Sequence, residues 1–304
     1  MEIKIESVSK RYGNHQALQE VSAIVPSGSI FGLLGPNGAG KTSLIRILNQ
    51  ITGPDEGKVF FNNKPISPKD VERIGYLPEE RGLYRKMEVG EQSMYFAQLK
   101  GLSSNDARKA LKMWFEKFEI QEWWHKKVEE LSKGMAQKIQ FITTVLHQPD
   151  LLIFDEPFSG FDPINAELIK NEILELNQKG ATIIFSTHRM ESVEQLCKHI
   201  GLINRSKLVL HGELEEIRNR YRDNIFKIEI KPFTESADFK LPDKSVLLNL
   251  EKNEKHWFIR LRLPNSNTTE LLTNALEIGN IQRLEEEIPS VNEIFIKTVQ
   301  ESHE

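Results

Sequence analysis

A chain of 304 residues with 39% apolar side chains can build one large domain and a smaller one, each with its own core. Forty basic against 44 acidic residues give a formal charge of −4, which removes any bulk electrostatic case for nucleic acid or an anionic membrane. Cys197 is the only cysteine, no run reaches the ~18 to 20 apolar residues of a membrane span, and "MEIKIESVSKRYG" lacks the apolar segment of a signal peptide, so a cytoplasmic protein with Cys197 as a small buried side chain is expected.

From residue 1 to about 65, short alternating apolar runs (Ile3, Ile5, Val8; Val21, Ala23, Val25; Val59, Phe61) predict strands. Among them, "FGLLGPNGAGKTSLIRIL" delivers a strand (Phe31, Leu33, Leu34) into Gly35, Pro36, Asn37, Gly38, Ala39 and Gly40, followed by Lys41, Thr42 and Ser43. The spacing is G-x-x-x-x-G-K-[ST], in which backbone N–H groups cradle phosphates, Lys41 reaches the outer pair and the Thr42 hydroxyl can ligate magnesium. The helix that starts there, with Leu44, Ile45, Ile47 and Leu48 on one side, adds the positive end of its dipole. A glycine-rich turn without a ligand is the bland alternative, and the complete pattern disfavours it.

Residues 89–130 contain little glycine, and Met94, Ala97, Leu99, Leu111, Phe115 and Phe118 recur near helical intervals, predicting a helical subdomain over about 85–147. In "ELSKGMAQKIQFITTVL", Ser132 is a good N-cap, Gly134 leaves the backbone open, and Ile139, Ile142, Val145 and Leu146 form a buried side; the exposed helix start is a second anion-grade site. "DLLIFDEP" is a short buried strand ending in Asp155, placed to hold magnesium through water, and Glu156, placed to polarise an attacking water. Next come a helix with Asp162 as cap, Pro163 at its first position and Ile169, Ile173 and Leu176 on one face, closed by Gly180, and the buried strand "ATIIFSTH". Two nearly all-apolar strands around a helix predict a parallel sheet covered on both sides. After about residue 222 the pattern changes. "HWFIRLRL" alternates as a half-exposed strand, and Asn267 with Glu270 and Ser290 with Glu293 read as capping pairs of two helices.

The order of these motifs resembles the nucleotide-binding domain of ABC (ATP-binding cassette) ATPases over about residues 1–220. The resemblance implies an α/β P-loop NTPase cassette, with a mixed sheet and a helical subdomain, in residues 1–222, and a small α+β accessory domain in residues 223–304. It further implies ATP and Mg2+ as ligands, Tyr12 stacking on adenine, residues 35–43 as the phosphate loop and "LSKGM" (Ser132, Gly134) as the signature. Asp155 and Glu156 match the Walker B carboxylates, Asp162 the D-loop, and His188 the switch histidine touching the γ-phosphate. The cassette would dimerise head to tail with a second nucleotide-binding domain, identical or a close paralogue, each ATP lying between one chain's phosphate loop and the other's signature.

The chain departs from the family pattern in two places. Lys133 and Met135 alter the signature, removing one amide contact and keeping Ser132. The family's lid glutamine falls at Glu79 in "YLPEERGLY", where a carboxylate either joins the magnesium shell, the reading adopted here, or repels the γ-phosphate unless Arg81 offsets it. "YLPEERGLYRKMEVGEQ" and the helices after it correspond to the surface that receives a short helix from a membrane partner, with Trp114, Trp123 and Trp124 open between groove and core. The expected function is the ATPase subunit of an exporter with a separately encoded integral membrane permease, peripheral on the cytoplasmic membrane face, with no nucleic acid. The alternatives are a soluble ABC ATPase in a non-transport assembly and a P-loop kinase or GTPase, which would leave the signature and His188 unexplained.

Overall fold

The computed structural model describes residues 1–80, 82–234, 238–253 and 255–301, so Arg81 lies outside the described residues. Two compact units divide the chain: Met1–Leu214 together with the end of the chain from Lys297, and Glu215–Ile296. Along the first run β1 (Ile3–Tyr12), β2 (His15–Val25), β3 (Ile30–Leu34), α1 (Lys41–Leu48), β4 (Glu56–Phe61), β5 (Lys64–Pro65), β6 (Ile74–Leu77), α2 (Val89–Leu99), α3 (Ser104–Lys117) and α4 (Lys133–Val145). They are followed by β7 (Leu151–Asp155), α5 (Pro163–Gln178), β8 (Thr182–Ser186), α6 (Met190–Leu196), β9 (His199–Asn204) and β10 (Lys207–Glu213).

Every position of β3, β7 and β8 is buried. Such strands need partners on both sides and helices on both faces, and they occupy the middle of a six-stranded sheet ordered β10-β9-β3-β8-β7-β6. All its pairings are parallel except β10 with β9 at the edge. A second, antiparallel sheet runs β2-β1-β4-β5. Helix α1 joins the two: Leu44, Ile45, Ile47 and Leu48 share one core cluster with Ile5, Val21 and Val59 of the antiparallel sheet and Leu33, Ile153 and Ile184 of the parallel one. The α/β cassette with a mixed sheet is therefore the fold that the alternating and all-apolar strand patterns foreshadow.

The helical region forms at α2 to α4, with its buried side rotated from the simplest hydrophobic reading. Helix α2 buries Val89, Gly90, Gln92, Ser93 and Ala97 and leaves Leu99 59% exposed. Two contacts fix that rotation. The Trp124 ring lies against Gly90 so closely that a Cβ there would stand 2.3 Å from Cε2, and the Gln92 side-chain carbonyl accepts the Tyr84 N–H. Trp114 also packs inward, within an aromatic stack of Phe118, Phe141 and Phe154 that ties α3 and α4 to β7. Cys197 is buried against Gly32, and burial pushes its thiol pKa up, which makes it inert.

After α7 (Leu214–Arg220), the second unit holds β11 (Ile225–Pro232), β12 (Val246–Lys252), β13 (Trp257–Arg262), α8 (Thr269–Ile278) and β14 (Gly279–Glu286), and α9 (Val291–Glu301) follows. Its sheet, ordered β12-β13-β11-β14, is wholly antiparallel, with Phe226, Ile228, Ile259 and Leu261 packed on Leu271 and Ala275 of α8. The alternation of β13 is as expected from its sequence. Ser290 and Glu293 close a capping box: the Ser290 N–H and hydroxyl both donate to Glu293 Oε2 at 2.8 Å. The Asn267 and Glu270 pair is corrected. Asn267 accepts the Thr269 N–H at 3.0 Å, the helix begins one residue later than that pairing requires, and Glu270 turns instead to the Asp243 N–H, also at 3.0 Å.

Phe141 has no exposed surface and stacks on Phe118 and Phe154. Replacing it by Ala leaves a cavity between helices and sheet and is expected to cost about 3 to 5 kcal/mol, measured as a fall in the urea midpoint of unfolding.

Candidate nucleotide site

Strand β3 ends at Leu34, and the chain turns through Gly35 with φ 148° and Gly40 with φ 120° before α1 begins. Both turns pass so close to other backbone that no side chain fits: a Cβ on Gly35 would stand 2.2 Å from Ile203 O, and one on Gly40 2.3 Å from Ala17 O. Pro36, Asn37 and Gly38 form the exposed tip, Ala39 is buried beneath it, Thr42 is exposed and Ser43 half-buried. As N-cap of α1, Gly40 offers no side-chain acceptor, and the first turn carries no acidic residue. The amides of Lys41, Thr42 and Ser43 have no partner within the helix either, so the loop is a nest of donors at a positive helix end.

The Lys41 ammonium arches back over this loop and donates to Gly35 O at 2.7 Å and Pro36 O at 3.1 Å. Burial lowers its pKa, while Asp155, Glu156 and Glu79 pull the other way. The charges of Glu79, Asp155 and Glu156 are thus all felt at the same lysine. Asp155, the last residue of β7, is buried, and burial holds its pKa above the usual carboxylate range, with the charges of Glu79 and Glu156 adding to the rise and Lys41 opposing it. Glu79 itself is exposed, and its charge is felt at Lys41, Asp155 and Tyr76.

Directly after β7 the backbone kinks: Glu156 adopts φ 51°, a left-handed conformation that costs a non-glycine residue about 1 kcal/mol, and its N–H donates to Ser186 O at 2.8 Å. The kink swings the carboxylate to the end of β8. There Oε1 accepts the His188 N–H at 2.7 Å and the ring Nδ1–H at 2.6 Å, and Oε2 accepts the Thr187 hydroxyl at 3.0 Å. Because a carboxylate only accepts, the proton sits on His188 Nδ1, leaving Nε2 free to face solvent. Thr187 was not among the residues singled out in the sequence, although its place before His188 in "STH" was the available signal.

The remaining predicted residues are held locally. Tyr12, 42% exposed, ends β1 with the Lys10 ammonium 5.7 Å from its ring centre. Ser132 caps α4 by accepting the Met135 N–H at 3.3 Å, and Asp162 caps α5 by accepting from Ile164 and Asn165, each at 3.0 Å. Gly134 lies in the first turn of α4. Among the described residues no hydrogen bond or ion pair joins Ser132, Gly134 or Asp162 to the phosphate loop. The same unit carries an apolar groove of about 350 Å³ lined by Ile51, Val71, Tyr76, Leu83, Phe96 and Leu99. Tyr76 borders this groove and also feels Asp155; its phenol pKa is pushed up to about 12, mainly by burial.

A parallel sheet with a donor-lined loop at the end of a central strand and carboxylates at the ends of neighbouring strands defines a P-loop nucleoside-triphosphate hydrolase. Residues 18–159 match the family described as ABC transporter, and residues 212–299 match the ATP-binding protein DrrA1-3-like, C-terminal domain. The chain is 40% identical to the Uncharacterized ABC transporter ATP-binding protein YhaQ of Bacillus subtilis (strain 168), covering 98% of both chains. It is 31% identical to the Linearmycin resistance ATP-binding protein LnrL of the same organism, over 77% of this chain and 76% of that one. A solved structure of the ATP binding subunit of an ABC transporter superposes with a TM-score of 0.68 at 27% identity, covering 73% of this chain and 93% of the other. The chain belongs to the ABC transporter ATP-binding proteins, a family of ATPases.

The contact between Gly35 and Ile203 O is backbone on backbone, so neither side can yield. Gly35→Ala is expected to abolish binding of a fluorescent ATP analogue and to lower the melting temperature by about 5 °C or more. Gly53→Ala, at a position with open space around the added methyl, should leave both at the parent level.

Proposed function

We propose that the chain is the ATP-hydrolysing subunit of an exporter, dimerising head to tail around two ATP molecules and driving a permease made as a separate chain. The observation that carries this reading is the presence of two exposed helix starts on one chain, the uncapped α1 and the Ser132-capped α4, each bonded only within its own surroundings. A second copy turned head to tail brings one against the other and encloses a triphosphate between them. Ile164, 83% exposed two residues beyond Asp162, supports a protein partner at the D-loop. The apolar groove, with Tyr84, Tyr95 and Leu99 exposed nearby, suits a short helix from a membrane protein. Among the described residues no helix is long and apolar enough to cross a membrane, and this reading assigns the membrane pathway to the partner. The name of the relative LnrL, which refers to linearmycin resistance, favours export. Residues 1–222 then act as the cassette at the cytoplasmic face, and residues 223–304 as an accessory domain supporting the dimer.

In this reading the α1 amides and Lys41 bind the phosphates, and Tyr12 stacks on the adenine. The hydroxyl of Thr42 and the carboxylates of Asp155 and Glu79 are hard oxygen donors that fit Mg2+. Among the described residues no group of three or more His, Cys, Asp or Glu side chains is placed to hold a metal ion, and the proposed ion would take its remaining ligands from substrate phosphates. When bound, the ion supplies neutralisation of phosphate charge. Glu156 accepts a proton from the attacking water, and His188, oriented by Glu156 through Nδ1–H, donates from Nε2–H to the γ-phosphate when both ring nitrogens carry protons. Across the dimer Ser132 and the α4 amides complete the phosphate shell.

Three substitutions separate these roles. Lys41→Ala should weaken ATP binding at least tenfold, while Glu156→Gln should keep binding, lower hydrolysis about 100-fold or more and accumulate a dimer on size exclusion with ATP and magnesium. Hydrolysis by Glu156→Gln at the parent rate would remove Glu156 as the base. Glu79→Gln should raise the magnesium concentration needed for half-maximal hydrolysis, and an unchanged requirement excludes Glu79 from the ion's surroundings. For the function as a whole, tagged Glu156→Gln protein is captured from detergent-solubilised cells with ATP and magnesium, and co-purifying chains are identified by mass spectrometry. A stoichiometric polytopic membrane protein supports the exporter reading; a dimer with only soluble partners moves the ATPase to a non-transport assembly.

A further inference from the structure

Helix α4 begins at Ser132, the residue that completes the neighbouring site in the head-to-tail dimer, and along its length it touches both loops that carry carboxylates of its own site. Five residues beyond Ser132, the Gln137 side-chain amide donates to Ser159 O, and Gln137 Oε1 is buried with no partner among the described residues. Ser159 in turn donates its N–H to Glu156 O at 3.0 Å, so this contact falls on the turn that starts at Glu156. The Lys133 side chain crosses the next residue, passing where a Cβ on Gly160 would stand 2.2 Å from Lys133 Cε. Three residues after Gln137, on the same helical face, buried Gln140 shares its amide between Pro78 O and Glu80 O, each at 3.4 Å. Those carbonyls flank Glu79. Gln140 also lines the apolar groove.

We infer that Gln137 and Gln140 are positioning residues that tie the signature helix to the Glu156 and Glu79 loops of the same chain, so that closing one composite site sets the carboxylates of the other. This linkage rests on the head-to-tail dimer proposed above. All three bonds run from side chain to backbone, so each glutamine holds a loop's path irrespective of the loop's side chains. A buried amide with an unpaired carbonyl costs stability, and apolar packing alone would be satisfied by methionine or leucine at position 137. A helix attached to two loops links the groove, the lid loop and the D-loop to Ser132 through contiguous contacts. The phosphate loop is reached by neither glutamine, so nucleotide binding in cis lies outside this linkage.

The test uses the full chain in the Glu156→Gln background with Gln137→Met or Gln140→Met, substitutions that keep length and remove the donor. The ATP concentration for half-maximal dimerisation, followed by size exclusion with magnesium, should rise about tenfold in each, which corresponds to about 1.4 kcal/mol. Affinity for a fluorescent ADP analogue, which lacks the γ-phosphate on which closure depends, should stay within about twofold of the parent. Gln137→Glu, isosteric and without an amide donor, should behave as Gln137→Met. If Gln140→Met fails to fold, the two Gln137 variants carry the test, because the D-loop attachment is separate from the lid-loop one. Dimerisation at the parent ATP concentration overturns the inference, and so does a parallel loss of ADP-analogue affinity, which marks general damage. Failure of the Glu156→Gln parent itself to dimerise with ATP overturns the head-to-tail reading on which the inference stands.

Discussion

The architecture depends on a helix that is left open at its start. Gly40 gives α1 no capping side chain, no acidic residue sits in the first turn, and the amides of Lys41, Thr42 and Ser43 are without intrahelical partners. An ordinary surface helix would close that end with Ser, Thr or Asp for about 1 kcal/mol. Keeping it open demands that the rest of the molecule hold the loop in place. The buried strands on either side of β3 fix where the loop begins, Ile203 O and Ala17 O leave no space for any residue but glycine at its two ends, and the apolar side of α1 is locked between two sheets. The donors are thus prepositioned by packing that involves none of the donors themselves, and an incoming anion need not reorganise them.

The same logic places the carboxylates. Strand β7 delivers Asp155 into a buried position where its ionised form is disfavoured, and a left-handed residue immediately after sends Glu156 to β8. Adjacent residues in sequence are therefore given different environments: one is desolvated, and the other accepts three hydrogen bonds from Thr187 and His188. Strain at Glu156 persists because the β7 and β8 register and the Ser186 carbonyl hold its backbone from both sides.

What the sequence announces is what local physics dictates. Glycine spacing in the loop, the caps at Ser132, Asp162 and Ser290, the parallel pairing of all-apolar strands and the alternation of β13 each depend on residues a few positions apart. What stays hidden depends on distant partners. Gly35 is required by Ile203, more than 160 residues away in sequence. The buried side of α2 is chosen by Trp124 and Tyr84 and so includes Gln92 and Ser93 while Leu99 faces out. Glu270 is diverted from its helix cap by Asp243. Trp114 and Trp124 could not be divided between groove and core from their spacing, and the aromatic stack on Phe141 and the Gly90 contact settle both as packing. The phosphate loop, Asp155 and Glu156 were candidates from their spacing alone, and Tyr12, Glu79, Ser132, Gly134, Asp162 and His188 took their site roles only through the family resemblance; the residues packed against them, Thr187, Gln137 and Gln140, sit in ordinary-looking positions and were not named.

Bulk charge is equally uninformative about the site. A net charge of −4 over 304 residues is nearly balanced, yet around the phosphate loop the field of a single lysine meets those of Asp155, Glu156 and Glu79. A triphosphate entering this region adds several negative charges to three carboxylates, and at an effective dielectric of about 20 each unit pair at ~4 Å costs about 4 kcal/mol. The helix end and Lys41 offset only part of that repulsion, since the dipole contributes about half a charge. The remainder is a demand for further positive charge, which in the dimer proposed above a divalent cation beside Asp155 would meet from within and the amides at the exposed start of α4 would meet from across the interface. Glutamate in place of glutamine at position 79 sharpens that demand. In the dimer proposed above it would make the unclosed, metal-free complex a worse resting place for ATP, and so would couple retention of the nucleotide more tightly to completion of the site.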